Sequence, residues 1–244
     1  MRGNIGDFLF RIYFFENMAK KIILSAIICL LCTTAFAQKN GDHLVPTLGV
    51  LDAWDFQIEY HLRVREILFN GLSDSPIIRF LILGSDVETP RVVEINSGWG
   101  FYIVSHVSQW SLWSNSPNVD WSRVRVDRYR SEIDRESFWL IKSLFEVAIS
   151  QTRFPYENTD GLGGTNYYFF IHDLGCFYTS RLSNGRRSGT IWSPHQESKM
   201  GRLVNISRQL MILARSGQRI VRFDDAFQKE IQQLIDELKS NSTN

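Results

Sequence analysis

The chain has 244 residues, with 27 Lys and Arg against 26 Asp and Glu, so it lacks the strong positive charge that attracts nucleic acid over a distance. Its 3 cysteines are too few for a disulfide scaffold. Its stability therefore has to come from an apolar core, and a chain of this length can bury one.

The segment that begins at Met18 has the pattern of a secretory signal peptide. Two lysines follow, an apolar run extends over 22–31, and Ala35-Phe36-Ala37 precedes Gln38. The apolar run is about half as long as a helix that crosses a bilayer. We expect Met18 to be the true start and residues 1–37 to comprise upstream residues plus a signal peptide that is cleaved after Ala37. A signal anchor that stays attached is the alternative.

The expected mature protein, residues 38–244, is a single domain that is secreted or periplasmic, with no stable transmembrane anchor after cleavage. Cys29 and Cys32 leave with the signal, so Cys176 remains without an internal disulfide partner. Lipidation of Cys32 is not favoured, because two leucines stand where a lipoprotein signal has a small residue. The ending of the signal, Ala-Phe-Ala-Gln, resembles the export signals of Gram-negative bacteria of the Bacteroides type.

The first part of the mature chain gives a mixed signal. Residues 38–49 are polar and turn-rich, and we expect them to be loose. Between 54 and 64 apolar residues alternate at period two, which indicates a strand, but helical spacing is also present at Leu51, Trp54, Ile58 and Leu62. We favour a short helix over about 60–70 that ends at Gly71.

Four strands are predicted next. Residues 77–83 are apolar and β-branched, which indicates a buried strand. Residues 91–96 and 100–107 are typical of a hairpin, and 109–113 are a candidate extension after a bulge. The fourth strand is predicted to begin at Arg123, because Arg123, Arg125 and Asp127 alternate with valines.

The clearest local pattern in the chain predicts a helix from Asp134 to about Thr152. The carboxylate of Asp134 is placed to cap the first free backbone N–H groups, and Ile133 and Phe138 are spaced for a hydrophobic staple. One face is apolar and is expected to be buried: Phe138, Ile141, Leu144, Phe145, Ala148 and Ile149.

Two further strands and two further helices are predicted beyond this helix. The strands are 165–171 and 187–192, with a turn at Asn184-Gly185 between them. Ser193 is predicted to be the N-cap of the third helix, because Pro194 follows it and Gln196 completes a capping box, and Gly217 ends that helix. The last helix is predicted over 225–239.

These elements predict an α+β fold. We expect an antiparallel sheet of about five to seven strands with two or three amphipathic helices packed on one face. A parallel sheet is the alternative, but the connections between the first four strands are too short for crossover helices.

Few residue patterns indicate catalysis. The five histidines lack zinc-site spacing, and we predict no metal and no cofactor. His172, Asp173 and Cys176, with His195 as another base, form a candidate thiol hydrolase site. We prefer a structural interpretation, in which His172 and Asp173 finish a strand at its solvent-exposed end and Cys176 fills a small apolar gap.

Other catalytic and ion-binding patterns are incomplete. The glycines of 160–165 precede a strand and lack a P-loop lysine, which is typical of a turn. Residues 158–161 are only a fragment of a calcium loop, and no GxSxG nucleophile motif is present. Acids for glycoside hydrolysis cannot be chosen by spacing alone among Glu94, Asp127, Glu157 and Asp160.

Aromatic and arginine side chains are the most unusual content. Candidate ligand-binding aromatics are Trp99, Trp110 and Trp113, and Tyr167 must face away from Tyr168 on its strand. Arginines that are suited to an anionic ligand lie on one strand at Arg123, Arg125, Arg128 and Arg130, and near a turn at Arg181, Arg186 and Arg187. For these residues we favour the structural alternatives, in which the aromatics pack in the core and the arginines are solvated.

If the protein has a binding role, these residues are the best candidates for it. Our first functional hypothesis is a non-enzymatic binding domain that uses an aromatic and arginine-bearing sheet surface. A protein, a small molecule or a carbohydrate is a suitable partner, and nucleic acid is not. The second hypothesis is a small exported hydrolase with the Cys176, His172 and Asp173 site.

Overall fold

An alternation of outward and inward side chains along the strands gives the sheet two apolar faces, and helices cover both. The computed structural model describes residues 43–46, 58–84, 88–112, 120–153, 165–172 and 186–240, with only the backbone of Ile58, His172 and Arg186. All of these residues belong to one compact unit, Gly41–Asn244.

The described residues form eight strands and four α-helices. The strands are β1 Val45–Pro46, β2 Ile78–Leu83, β3 Arg91–Ser97, β4 Phe101–Ser108, β5 Val126–Ile133, β6 Asn166–His172, β7 Arg186–Trp192 and β8 Ile220–Val221. The helices are α1 Ile58–Leu68, α2 Arg135–Ser150, α3 Lys199–Arg215 and α4 Asp225–Ser240, and a 3-10 helix spans Trp121–Arg123.

The strands lie in the order β1-β7-β6-β2-β3-β4-β5-β8. Neighbours are antiparallel except β5 and β8, which pair in parallel through Glu132 with Ile220 and Ile133 with Val221. The α+β class is confirmed, but the sheet is mixed and larger than predicted. The two edge strands β1 and β8 were missed because each is two residues long, which is too short for any periodicity.

The larger core lies on the first face of the sheet, under α2, α3 and α4. Phe80 and Phe169 project from the sheet into it, and Phe145 of α2 packs edge-on against Phe169 at 5.6 Å between ring centroids. Helix α1 lies on the opposite face, with Tyr60, Val64 and Leu68 at i, i+4 spacing as its buried row. The expectation that the helices pack on one face is therefore wrong.

Helix α2 begins as predicted. The Asp134 carboxylate accepts hydrogen bonds from the backbone N–H groups of Glu136 at 3.0 Å and Ser137 at 3.2 Å. Phe138 is buried and stacks on Phe101 of β4 with 3.6 Å between ring centroids. This contact joins the first turn of the helix to the β3–β4 hairpin.

The predicted start of α3 at Ser193 is wrong, because the N-cap is Ser198, whose Oγ accepts from Gly201 N at 3.0 Å. Ser193 has a positive φ of 35°, which lies outside the extended region that an N-cap needs. Its backbone N–H donates to Thr165 O, and its Oγ accepts from Thr165 N. Ser193 therefore ties β7 to the start of β6.

The fourth predicted strand begins later than expected. Arg123 belongs to the 3-10 helix, capped by Asp120, and Arg125 precedes β5, which starts at Val126. The predicted alternation of Arg123 and Arg125 on one strand face is therefore wrong. Arg128 and Arg130 do lie on β5.

Replacement of Phe138 by Ala should lower the free energy of unfolding by about 3–5 kcal/mol, because it removes a fully buried ring from the core. Urea denaturation measures this change. Arg135→Ala, at an exposed position of the same helix turn, is the control and should change stability by less than about 0.5 kcal/mol. Equal effects of the two variants would contradict the packing described here.

Candidate functional site

The described helices cover the second face of the sheet only in part. Helix α1 and the 3-10 helix cover the apolar side chains at one end of the central strands: Leu81, Leu83, Val92 and Val126. Toward the β3–β4 hairpin, the outward positions of β3, β4 and β5 carry polar side chains instead. The residues just beyond α1, Gly71–Ser73, border this polar end.

A cavity of about 480 Å³ lies over this polar end, and we name it the β3–β5 cavity. Its volume falls within the range of small-molecule pockets, about 300–1,000 Å³. The side chains of this cavity that matter below are Glu94, Asn96, Tyr102, His106, Arg128 and Arg130.

A buried ion pair forms the floor of the cavity. Arg79 of β2 donates through Nε and Nη2 to Glu94 Oε2 at 3.1 and 2.6 Å. Glu94 Oε1 accepts from Ser73 N at 2.9 Å and from Asn96 Nδ2 at 2.7 Å. Each carboxylate oxygen of Glu94 therefore already accepts two hydrogen bonds. Glu94 is thus a structural anchor and not a free catalytic base.

His106 of β4 also connects the sheet to α1. Its Nδ1 lies 2.8 Å from Leu68 O, so the neutral ring carries its proton on Nδ1 and keeps the lone pair on Nε2. Burial lowers the pKa of His106 below its usual 6.5, and the charges of Arg128 on β5 and Arg79 on β2 act in the same direction. The Leu68 carbonyl of α1 and Glu94 of β3 oppose this shift.

Two arginines give the β3–β5 cavity its charge. Arg128 and Arg130 are exposed and occupy successive outward positions of β5, which places their Cα atoms about 7 Å apart. The Arg130 guanidinium lies over the Tyr102 ring at 4.2 Å. Among the described residues neither arginine forms an ion pair, whereas Arg79 is neutralised by Glu94. The exposed carboxylate of Glu132 is one outward position further along β5.

A second, larger groove of about 980 Å³ lies between α2 and α4. Its acids and glutamines are solvated side chains, and several of them bond along α4, as in the pairs Gln232 with Asp236 and Gln233 with Glu237. No buried polar side chain converges on this groove within the described part of the chain. We therefore place the candidate site at the β3–β5 cavity.

The candidate tryptophans do not form one platform. Trp99 stands at the tip of the β3–β4 hairpin and is fully exposed, and Trp110 follows the far end of β4 and is 68% exposed. The eight residues of β4 separate them by about 27 Å. Trp113 lies outside the described residues.

The candidate arginines are also dispersed. Arg123 pairs with Asp120 at 2.8 Å on the surface, and Arg125 is exposed before β5. Arg187 is exposed on β7, which lies near the opposite edge of the sheet from β5. Arg186 is described only by its backbone. Arg181 lies outside the described residues. Of the three whose side chains are described, Arg123, Arg125 and Arg187, none lines the β3–β5 cavity.

The thiol hydrolase site stays a prediction. Asp173 and Cys176 lie outside the described residues, and His172 ends β6 with only its backbone described. His195 is exposed in the turn before α3, where its Nδ1 accepts from Glu197 N at 3.3 Å.

Two further searches cover only the described residues. No cluster of three His, Cys, Asp or Glu side chains suited to a metal ion occurs among them. None of their helices combines the length and apolar character needed to cross a bilayer.

Comparison with protein-family models, with curated proteins and with solved structures gives no significant match. The proposals below therefore depend on the residues and geometry of this chain alone.

Sequence reasoning missed the roles of Glu94, Tyr102 and His106. Two signals were present in the sequence: a charged residue among the apolar side chains of the predicted β3, and a histidine in a strand that is mostly apolar. Once the register is known, His106 is an outward position opposite Arg128, and Glu94 is an outward position two strands from Arg130, with Val104 between them. Register depends on the pairing of distant segments, and local periodicity does not provide it.

Arg79→Leu and Glu94→Leu should each lower the free energy of unfolding by about 3–5 kcal/mol, because each leaves one buried charge without its partner. The double variant should lose clearly less than the sum, since both charges are then absent. Urea denaturation of the four proteins measures the coupling. Arg123→Leu removes an exposed ion pair and, as the control, should cost less than about 1 kcal/mol. Strict additivity of the two buried replacements would contradict the pairing.

Stability should fall as the pH is lowered from about 7 to about 5, in part through His106. Because its pKa is lower in the folded protein, the unfolded chain binds this proton first as the pH passes below about 6.5. His106→Asn keeps an N–H group for Leu68 O and removes the titration, so its free energy of unfolding should fall less over the same range. The remaining histidines are present in both proteins, so their contributions to the pH dependence cancel in the comparison. Parallel pH profiles would contradict the assignment.

Proposed function

We propose that this chain is an exported, non-enzymatic binding domain that takes up a small organic anion in the β3–β5 cavity. Export is inferred from the signal-peptide pattern that ends at Ala37. The binding role refines the hypothesis of an arginine-bearing sheet surface, and the arginines that carry it are Arg128 and Arg130.

One observation carries the proposal. Two arginines at successive outward positions of β5 line a cavity of suitable size, and neither forms an ion pair with a described residue. Guanidinium groups match carboxylates with two parallel hydrogen bonds, so a pair of them suits a dicarboxylate or a similar anion.

The surroundings of the arginines favour a ligand over simple solvation. Tyr102 packs its ring under Arg130, which restricts the side chain before a ligand arrives. The opposite charges of Arg79 and Glu94 cancel below the cavity. The electrostatic potential in the cavity is therefore determined by Arg128 and Arg130. The cavity is open to solvent, and we expect modest affinity, with a Kd on the order of 0.1–1 mM.

The hydroxyl groups that line the β3–β5 cavity belong to Ser73, Ser97 and Tyr102, and none of them forms a hydrogen bond with a histidine or a carboxylate in the described part of the chain. Glu94 is occupied by four hydrogen bonds, and Nδ1 of His106 is held by Leu68 O. We therefore propose binding and not turnover.

Succinate should bind the full chain, as measured by isothermal titration calorimetry at low ionic strength. Arg128→Gln with Arg130→Gln should weaken this binding at least about tenfold, because the charge-assisted hydrogen bonds are lost. Added salt should weaken it in the unchanged protein, since the site is open.

The matched control is Arg123→Gln with Arg125→Gln, which removes the same charge from the exposed surface outside the cavity. Its succinate affinity should stay within about twofold of the original. Equal losses in both double variants would show a net-charge effect and refute the site.

A further inference from the structure

We propose that the anion taken by the β3–β5 cavity also carries a hydrogen-bond donor, as hydroxy acids and acidic sugars do. This inference depends on the proposed function, because the charged group of the ligand is assigned to Arg128 and Arg130. It goes further by naming the second recognition element, which is one of two acceptors in the same cavity.

The first acceptor is the amide oxygen of Asn96. Asn96 Nδ2 donates to Glu94 Oε1 at 2.7 Å, and a carboxylate oxygen can only accept, so this bond fixes which end of the amide is oxygen. Oδ1 is shielded from bulk water and has no hydrogen-bond partner. Buried carbonyl groups are rarely left in this condition, and one that borders a cavity is suited to a donor from a ligand.

The second acceptor is Nε2 of His106. The bond from Nδ1 to Leu68 O places the ring proton on Nδ1, so Nε2 offers a lone pair and no proton at neutral pH. The lowered pKa of His106 keeps the ring neutral there. His106 lines the same cavity as Asn96.

The register of the sheet places one acceptor toward each end of the cavity, because four residues of β4, about 13 Å, separate His106 from Tyr102, the neighbour of Asn96. On β4 the outward positions run Tyr102, Val104 and His106, and on β5 Arg130 lies opposite Val104 and Arg128 opposite His106. On β3, Asn96 lies opposite Tyr102. His106 is therefore the neutral acceptor beside Arg128, and Asn96 lies toward the other end of the same cavity, two strands from β5. A simple anion uses only the arginines and brings no donor to either acceptor.

The test compares L-malate with succinate, which have the same charge and differ by one hydroxyl group. Malate should bind the full chain about threefold to tenfold more tightly at about pH 7.5, the range expected for one hydrogen bond. D-glucuronate measures the acidic-sugar class. A preference for glucuronate over malate indicates acidic sugars, the reverse indicates short hydroxy acids, and either preference over succinate supports the proposal.

Malate has one additional hydroxyl group, which reaches only one of the two acceptors. One of the variants Asn96→Ala and His106→Asn should therefore bring the malate-to-succinate affinity ratio toward one, whatever happens to the absolute affinities. Gln109→Ala, an exposed residue that pairs with Asp127 away from the cavity, should leave the ratio unchanged. The ratio is a readout that a merely structural role would not alter. Thermal unfolding of each variant verifies that it is folded.

The outcomes separate the two proposals. Equal affinities for malate, glucuronate and succinate, with all three lost in the Arg128 and Arg130 variant, overturn the donor inference and leave anion binding in place. No binding of any of the three overturns both. A malate preference that persists in both the Asn96 and the His106 variants also overturns the assignment of the acceptors.

Discussion

Burial of the central strand on both of its faces is the constraint on which the rest of the structure depends. All six residues of β2 are buried, so the sheet must be covered on each side at this strand. On the first face α2, α3 and α4 provide that cover. On the second face the described cover consists of α1, which is eleven residues or about 16 Å long, and the short 3-10 helix. No described helix covers one end of β3, β4 and β5, which is the polar end.

The polar network at that end joins stability to the proposed function. Arg79, Glu94, Ser73 and the contact between His106 and Leu68 attach the end of α1 to the sheet. Breaking a buried pair of this kind is costly, so its geometry is well defined. A rigid floor of this sort holds neighbouring groups in place, which lowers the entropic cost of binding a ligand. Arg128 and Arg130 stand above this floor without an ion-pair partner among the described residues, and Arg130 lies over the Tyr102 ring.

The sequence predicts local features well and tertiary ones poorly. Asp134 caps α2 as expected, and the predicted β2, the β3–β4 hairpin, β6, β7 and the last helix all occur within about two residues of their observed limits. Ser193 was misjudged because a capping pattern is local, whereas its positive φ follows from a bond to Thr165 on another strand. Of the candidate site, the sequence predicted only the arginines on the strand, Arg128 and Arg130. Its acceptors depend on the register between β3, β4 and β5, which no short window of sequence contains.

A crystal structure of the full chain grown with succinate tests the central claim most directly. We expect a carboxylate of the ligand within about 3.2 Å of a guanidinium nitrogen of Arg128 or Arg130, above the Tyr102 ring. An empty cavity with succinate bound elsewhere, or ion pairs from both arginines to carboxylates of the same chain, would contradict the account.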